Sequence, residues 1–222
     1  MHTTIENLSR KSSNIVLLPK KPYSNLLYST PSLFIQLHYT LRLIKTICSY
    51  LVRYILSIKL RWGVAYKFIE NWDDVVIWKS TKIKNPPKRF LADPFLWYYK
   101  GKHYCFVEDY CFIDKKACIS VYEINNNGYI ELGVAVKENF HLSYPFLFEY
   151  KNNIYMCPES SENKDIRLYK CLEFPLKWKL ETILMQDVQA VDTNIFYKDG
   201  KWWMLTGMDS SNNGQLDSEL HI

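Results

Sequence analysis

An internal repeat constrains the fold of this chain more than any other feature. Three segments of seventeen residues align with one another without a gap, at offsets of 51 and 48 residues. The copies are Asp93–Asp109 (DPFLWYYKGKHYCFVED), Tyr144–Ser160 (YPFLFEYKNNIYMCPES) and Asp192–Met208 (DTNIFYKDGKWWMLTGM). A period of roughly 20–50 residues is typical of propellers and other arrays of one supersecondary unit. The repeat therefore predicts several similar units in a row.

Each copy has the pattern of a β-hairpin. A short apolar run (PFLW, PFLF or TNIF) predicts a first strand that is buried on both faces. The turn pair that follows accepts the positive φ of a tight hairpin, and it is Lys100-Gly101, Asn152-Asn153 or Asp199-Gly200. An aromatic-rich run (HYCFV, IYMCP or WWMLT) then predicts the second strand.

Two further strands are predicted after each of the first two copies. They are ACISVYEI and GYIELGVAV after copy one, and DIRLYKC and WKLETILM after copy two. Four antiparallel strands in about 50 residues make one blade of a β-propeller, whereas unrelated consecutive hairpins are the alternative. The third copy stops at QLDSELHI, where a third strand would begin.

The predicted fold is therefore mainly β, a partial β-propeller of about two and a half blades within residues 62–222. Blade one covers about 90–140, blade two about 141–190, and blade three starts at 191 and is incomplete. Since two and a half blades cannot close a ring, we expect a truncated or split chain, or a partner chain that completes the propeller. Aromatic residues at 16% and a Gly count of 7 agree with a β-rich class.

An amphipathic basic helix is predicted over residues 33–61, after a flexible N-terminal tail over 1–32. Apolar residues recur every three or four positions, and Arg42, Lys45 and Arg53 lie on the opposite stripe. These charges interrupt every window long enough for a transmembrane helix. The helix either docks on protein or lies, through residues 33–60, on an anionic membrane surface.

Charge and cysteine content exclude several classes of partner. The net charge of +5 is concentrated in the first hundred residues and no nucleic-acid motif accompanies it, so no nucleic-acid partner is expected. The six cysteines form neither a CxxC pair nor a zinc-type spacing. We therefore expect reduced thiols, no metal and no cofactor. No secretory signal is visible, which predicts a cytoplasmic location or a peripheral one at the inner face of the membrane.

Four segments resemble the N-terminal domain of glucosamine inositolphosphorylceramide transferase. They are RFLADPFLWYYKGKHYCFVED, HLSYPFLFEYKNNIYMCPES, LYKCLEFPLKW and AVDTNIFYKDGKWWML. Bacterial proteins often encoded with polysaccharide enzymes share that domain, and it is similar in turn to the five-bladed propellers of family 43 glycosidases. The resemblance covers about residues 62–222 and implies a carbohydrate-related propeller of bacterial origin. In the plant enzyme the transferase chemistry is assigned to a separate C-terminal domain, so transferase activity is not implied here.

The candidate site follows from the starting ends of the first strands, which face the central funnel of a propeller. By resemblance to propeller glycosidases, Asp93 matches the catalytic base of blade one. Tyr144 replaces a second Asp, and Asp192 stands where those enzymes have a general-acid Glu. Glycoside hydrolysis needs two carboxylates, and the second could also come from Glu108 or Glu159.

Two groups of candidate residues result. The catalytic candidates are Asp93, Asp192 and Glu159, and the substrate-binding candidates are His141, Tyr144, Glu108, Asp109, Trp97 and Trp202. Each has a structural alternative, because Asp at a strand start caps turn N–H groups and Trp packs between blades.

Three functions stay open. The departure at Tyr144 favours a domain that binds a glycan or glycosylated substrate in polysaccharide or glycolipid metabolism. A glycosidase-like enzyme using Asp93 with Asp192 or Glu159 is the first alternative, and an inactive truncated remnant is the second.

Overall fold

The computed structural model describes residues 30–55, 61–71, 76–210, 215–216 and 219–222. The chain divides into two compact units, Met1–Lys59 and Leu60–Ile222, and each is described by itself below. Nearly all of the predicted N-terminal tail, residues 1–29, lies outside the described residues.

The described part of the first unit is one helix, α1 (Leu33–Ile55). It begins after Pro31-Ser32, and the main-chain N–H of Ile35 donates to the Ser32 side chain over 3.4 Å, as at a helix N-cap. The predicted helix extended to residue 61, but residues 56–60 lie outside the described residues and Arg61 is not helical. Of the helices among the described residues, none is long and apolar enough to cross a membrane.

Three larger antiparallel sheets, each with its strands in chain order, make up most of the described part of the second unit. The first is β3 (Arg89–Tyr99), β4 (Lys102–Cys111), β5 (Lys116–Asn125) and β6 (Gly128–Val136). The second is β7 (Ser143–Tyr150), β8 (Asn153–Ser160), β9 (Asp165–Glu173) and β10 (Lys177–Gln186). The third is β11 (Ala190–Lys198), β12 (Lys201–Met208) and β13 (Glu219–His221).

The sheets pack as successive blades. Strand β7 contacts both β3 and β11, so the first strands of the three sheets are neighbours. Phe106 and Ile119 of the first sheet share one buried cluster with Leu147 and Met156 of the second. A separate cluster, which joins the second and third sheets, contains Cys157, Ile166, Ala190 and Ile195. The predicted class, mainly β with a partial propeller, is confirmed.

Two details of the predicted hairpins are wrong. The second turn is Lys151-Asn152 and not Asn152-Asn153, because Tyr150 pairs directly with Asn153. Both turn residues have the positive φ of a two-residue hairpin, 47° and 58°. Strand β3 is also not buried on both faces. Phe95 and Trp97 pack inward, whereas Leu96 is 61% exposed on the other face.

A small two-stranded sheet precedes the blades and has no counterpart among the predicted elements. It pairs β1 (Ala65–Tyr66) with β2 (Thr81–Lys82). Val64, Tyr66 and Ile83 share a buried cluster with Leu91 and Tyr122 of the first blade. Strands of two residues carry no readable periodicity, so the sequence pattern could not predict this sheet.

All six cysteines are free. Cys105 and Cys157 are buried within strands, and burial raises the pKa of each thiol to about 12. These two thiols are therefore protonated, inert parts of the core.

Candidate functional site

A β-bulge of the same form occurs in the first strand of all three blades, which are β3, β7 and β11. Asp93, Tyr144 and Asp192 have φ values of 45°, 43° and 53°, in the left-handed region that residues other than Gly seldom adopt. The pairing register shifts at the same point in each blade, between Ala92 and Phe95 in the first. A bulge re-aims a side chain, and strained backbone of this kind clusters at functional sites. The repeat alignment predicted that these three positions are equivalent, but not their conformation.

Tyr144 links the three bulges. Its main-chain N–H donates to Asp93 Oδ2 over 3.3 Å, and its hydroxyl donates to Asn194 Oδ1 over 3.3 Å. Asn194 in turn donates from Nδ2 to the main-chain oxygen of Asp192 over 2.7 Å. The residue that replaces an expected carboxylate thus connects the first blade to the third.

Two glutamates of the second strands join this group. Glu108 is 8% exposed and shares a side-chain hydrogen bond with Asp93. Glu159 is half-buried, accepts a hydrogen bond from the Ser161 hydroxyl over 2.8 Å, and accepts another from the main-chain N–H of Asp192. We call Asp93, Glu108, Tyr144, Glu159 and Asp192 together the carboxylate mouth.

The carboxyl groups of the mouth are in different protonation environments. Burial, and then the charge of Asp93 and the hydrogen bond with it, raise the pKa of Glu108 to about 8. Glu108 therefore holds a proton at neutral pH, and the hydrogen bond places that proton toward Asp93. Burial and the charge of Asp192 raise the pKa of Glu159 as well, while the Ser161 hydrogen bond opposes the shift.

His141 lies beside the mouth. Its Nε2 is 3.4 Å from Oε1 of Glu108. Burial lowers the pKa of His141, although Glu162 and Asp93 oppose the shift. A neutral imidazole can both donate and accept a hydrogen bond at this position.

The hydrogen bond between Asp93 and Glu108 limits what this pair can do. Retaining glycosidases hold their two carboxyl groups about 5–5.5 Å apart and inverting ones hold them farther apart, with the scissile bond between them. Carboxyl groups joined by a hydrogen bond are closer together than that and leave no room for a substrate between them. Asp93 and Glu108 are therefore hydrogen-bonded neighbours and not a base and an acid on two sides of a substrate.

The structure does not bring Asp109 to the mouth. Its side chain is on the face of β4 opposite to Glu108, as alternation along a strand requires, and the residue is 1% exposed. Asp109 Oδ2 accepts hydrogen bonds from Arg89 Nη1 at 2.7 Å and from the Ser120 hydroxyl at 2.8 Å. The residue is part of an internal ion pair of the first blade.

The two tryptophans predicted to bind substrate also lie away from the mouth. Trp97 packs against the cluster between the first two blades, four residues or about 13 Å along β3 from Asp93. Trp202 pairs with Tyr197, about 17 Å along β11 from Asp192, and contacts Phe148, Tyr150 and Tyr197 at ring centroid distances of 5.7, 5.0 and 5.3 Å. Both belong to the packing between blades.

A cavity of about 490 Å³ adjoins the mouth, and its aromatic wall was missed by the sequence reasoning. Asp93 and Glu108 form its polar side, and the other lining residues are Trp62, Gly63, Phe90, Ala92 and Pro94. Trp62 precedes the repeat, so no comparison between blades could single it out. Among the residues that the structure describes, no group of three or more His, Cys, Asp or Glu is arranged to hold a metal ion.

Comparison with known proteins identifies relatives by sequence. Residues 67–222 match the model of the family described as glucosamine inositolphosphorylceramide transferase 1, N-terminal. Glucosamine inositolphosphorylceramide transferase 1 of Oryza sativa subsp. indica is 36% identical over 138 residues, 61% of this chain. The protein of that name from Arabidopsis thaliana is 38% identical over 137 residues, 59% of this chain. The chain spans 18% of the length of each relative. Both are plant proteins, so they do not support the expected bacterial origin.

Two solved structures show a weaker likeness. A GH43 β-1,3-galactosidase with galactodeoxynojirimycin has a TM-score of 0.38 and 15% identity over 54% of this chain and 38% of its own. A GH32 β-fructofuranosidase of Bombyx mori has a TM-score of 0.38 and 17% identity over 57% of this chain and 33% of its own. Neither likeness is close enough to transfer the role of any residue.

Proposed function

Because the chain belongs to the N-terminal family of glucosamine inositolphosphorylceramide transferase 1, we propose that its carboxylate mouth binds a sugar of a glycan or glycolipid without cleaving it. The observation that carries this proposal is the convergence of Asp93, Glu108, Glu159 and Asp192 around the bulges. Carboxyl oxygens accept hydrogen bonds from several hydroxyl groups at once. A concave site with a few fixed polar groups is the usual form of a small-ligand site.

The charge of the mouth supports one class of sugar. A concave surface lined by carboxylates repels phosphate and uronic acid groups and attracts cations. Neutral sugars and sugars with a protonated amine are therefore the ligands of this proposal. The relatives' name includes glucosamine, which is such an amine, and the inositolphosphoryl group of the same name would be repelled.

Binding is favoured over hydrolysis by two features of the mouth. Tyr144 supplies no carboxylate at the second bulge, and Asp93 is hydrogen-bonded to Glu108 instead of facing it across a gap. The glycosidase-like alternative would use Asp93 with Asp192 or Glu159. It is supported by the direction of the Glu159 pKa, which burial raises, as is usual for the general acid of such an enzyme.

Glycan binding is the test. The wild-type protein, Asp93→Asn and Asp192→Asn are screened on an array that includes glucosamine, N-acetylglucosamine and galacturonic acid oligosaccharides. Asp199→Asn is the matched control, because Asp199 is in the hairpin turn at the far end of β11. We expect binding of the first two sugars, a loss of about tenfold or more in both mouth variants, and no change in the control.

The same proteins and oligosaccharides also distinguish sugar binding from the two alternative functions. Release of new reducing ends from any bound oligosaccharide by the wild type, lost in Asp93→Asn, would establish the enzyme and contradict this proposal. A folded wild-type protein that binds no sugar would support the inactive remnant. A partner chain that completes the propeller stays a prediction.

For the first unit we propose that α1 lies on an anionic membrane surface, in keeping with the expected cytoplasmic, membrane-peripheral location. Residues 30–55 contain Arg42, Lys45 and Arg53 and no acidic residue, so the helix is complementary to negative lipid headgroups. Its apolar stripe, which includes Leu41 and Ile44, has no second helix or strand to pack against in the described part of this unit.

Vesicle co-sedimentation tests this second proposal. We expect binding to phosphatidylserine-containing vesicles that Leu41→Glu with Ile44→Glu abolishes. His38→Glu with Ser49→Glu adds the same charge to the polar stripe and should retain part of the binding. Equal loss in both double variants would mean that charge alone drives binding, and no binding by the wild type would favour docking on protein.

A further inference from the structure

The backbone around Trp62 is held on both sides. The main-chain oxygen of Trp62 accepts a hydrogen bond from Asn85 Nδ2 at 2.7 Å, and Asn85 Oδ1 accepts one from the main-chain N–H of Leu91 at 3.1 Å. Two residues on, Val64 is 3% exposed and its oxygen accepts a hydrogen bond from the N–H of Ile83 at 2.9 Å. Trp62 therefore has a fixed position relative to strand β3.

Trp62 is nevertheless 71% exposed, and it lines the cavity together with Asp93 and Glu108. A large apolar side chain on a well-anchored backbone gains little stability when it faces water. Trp combines a broad apolar face with a polar N–H, which suits it to contact with amphipathic ligands.

Phe90, a second aromatic residue of the cavity lining, is also packed against a neighbour. Phe90 stacks on Tyr110 with ring centroids 4.8 Å apart and planes inclined by 19°. Pro94, the residue after the first bulge, is also part of the lining. The volume of about 490 Å³ is within the roughly 300–1,000 Å³ of small-ligand sites.

We infer that Trp62 is the stacking platform for one pyranose ring, whose polar edge is bound by Asp93 and Glu108. This inference rests on the proposed sugar binding, and it adds the position of the ring and a residue outside the repeat. The C–H face of a pyranose is apolar and its edge carries hydroxyl groups. The apolar face therefore matches Trp62, and the hydroxyl groups match Asp93 and Glu108. A protonated amine on the ring would also be attracted to the indole face.

Tryptophan fluorescence and affinity together test this inference. The wild type, Trp62→Ala, Trp62→Phe and Trp78→Ala are titrated with a glucosamine tetrasaccharide and with its N-acetylated counterpart. Trp78 is the matched control, because it is 85% exposed and lies outside the cavity lining. We expect about tenfold weaker binding in Trp62→Ala and nearly unchanged binding in Trp62→Phe and Trp78→Ala.

The spectroscopic signature is independent of affinity. Ligand should quench or shift the emission of the wild type and of Trp78→Ala. In Trp62→Phe the ligand still binds, by calorimetry, but most of that change in emission is lost. This variant keeps an aromatic ring at the position, so it answers the question even if Trp62→Ala fails to fold.

The outcomes are distinguishable from those of the proposed function. If Trp62→Ala and Trp62→Phe bind and respond like the wild type while Asp93→Asn does not bind, sugar binding stands and the role of Trp62 is overturned. If the folded wild type binds neither tetrasaccharide, both proposals are overturned. Weakened binding in Trp62→Ala with retained emission changes in Trp62→Phe would also contradict stacking at this residue.

Discussion

The main-chain N–H of Tyr144 donates a hydrogen bond to Oδ2 of Asp93 over 3.3 Å, across the boundary between the first and second blades. Asp93 and Tyr144 are the same position of two successive repeats, and both have positive φ. The bulge of one blade therefore orients the side chain of the other. Changes at Tyr144 should alter the position of Asp93 as well as its own contacts.

Tyr144→Val should destabilise the protein by about 2 kcal/mol, because a β-branched side chain is strained at a φ of 43°. Tyr144→Phe loses only the hydrogen bond to Asn194 and should cost about 1 kcal/mol. The measurement is chemical denaturation. Tyr98→Val, in an exposed position of β3 with ordinary φ, is the control and should be nearly neutral. If Tyr98→Val and Tyr144→Val lower the free energy of unfolding equally, the positive φ of residue 144 is not the cause of the loss.

Glu108→Gln should change how stability depends on pH. The unfolded chain releases the proton of this residue near pH 4.3, whereas the folded state holds it up to about pH 8. The contribution of Glu108 to stability is therefore complete below about pH 4 and is lost as pH rises through 8. Gln stays neutral, so the melting temperature of the variant relative to wild type should rise between pH 6 and pH 9.

The control for this experiment is Glu149→Gln, an exposed position on β7. Its melting temperature relative to wild type should stay constant over the same range. Parallel curves for Glu108→Gln and wild type would mean that Glu108 is ionised throughout this range, and the raised pKa of Glu108 would be wrong.

Asp109→Ala should cost roughly 3 kcal/mol of unfolding free energy, since it leaves the half-buried Arg89 without its shortest ion pair. The folded fraction should bind sugar with unchanged affinity, because the side chain is on the face of β4 opposite to the mouth. Asp114→Ala, in the exposed turn after β4, is the control for stability. A selective loss of sugar affinity in Asp109→Ala would place this residue in the site after all.

Trp202→Ala should lower stability by about 2 kcal/mol and leave sugar affinity unchanged. Its ring contacts Phe148, Tyr150 and Tyr197 and is 42% exposed, so part of its area is removed from water on folding. Thermal melting and the array titration are measured on the same preparation. Weaker sugar binding without a change in melting temperature would mean that Trp202 binds substrate, as its place among the substrate-binding candidates implies.

The sequence repeat predicted the hairpins of the blades. The apolar runs and turn pairs predicted the hairpins of all three blades, and only the turn at Lys151-Asn152 was displaced by one residue. The sheet of β1 and β2 could not be predicted, because its stability comes from packing of Tyr66 and Ile83 on the first blade and not from a local pattern.

The sequence also predicted one part of the candidate site and not the rest. The alignment of Asp93, Tyr144 and Asp192 predicted three equivalent positions at one end of the blades. It could not predict that Glu108 and Asp109, adjacent in sequence, have opposite environments, although the alternation of a strand makes this the natural outcome. Trp97 and Trp202 were selected by residue type alone, and their distance along the strands from the bulges separates them from the mouth.

The sequence by itself determined the blade, because hydrophobic periodicity and turn chemistry are local properties that repeat with the chain. Only the tertiary structure decided what the polar residues at the head of each blade do. Their protonation and direction depend on burial and on neighbours from other blades, such as Asp93 with Glu108 and Tyr144 with Asn194. Desolvation and charge–charge interactions act through space, so they follow the packing of the sheets and not the order of the residues.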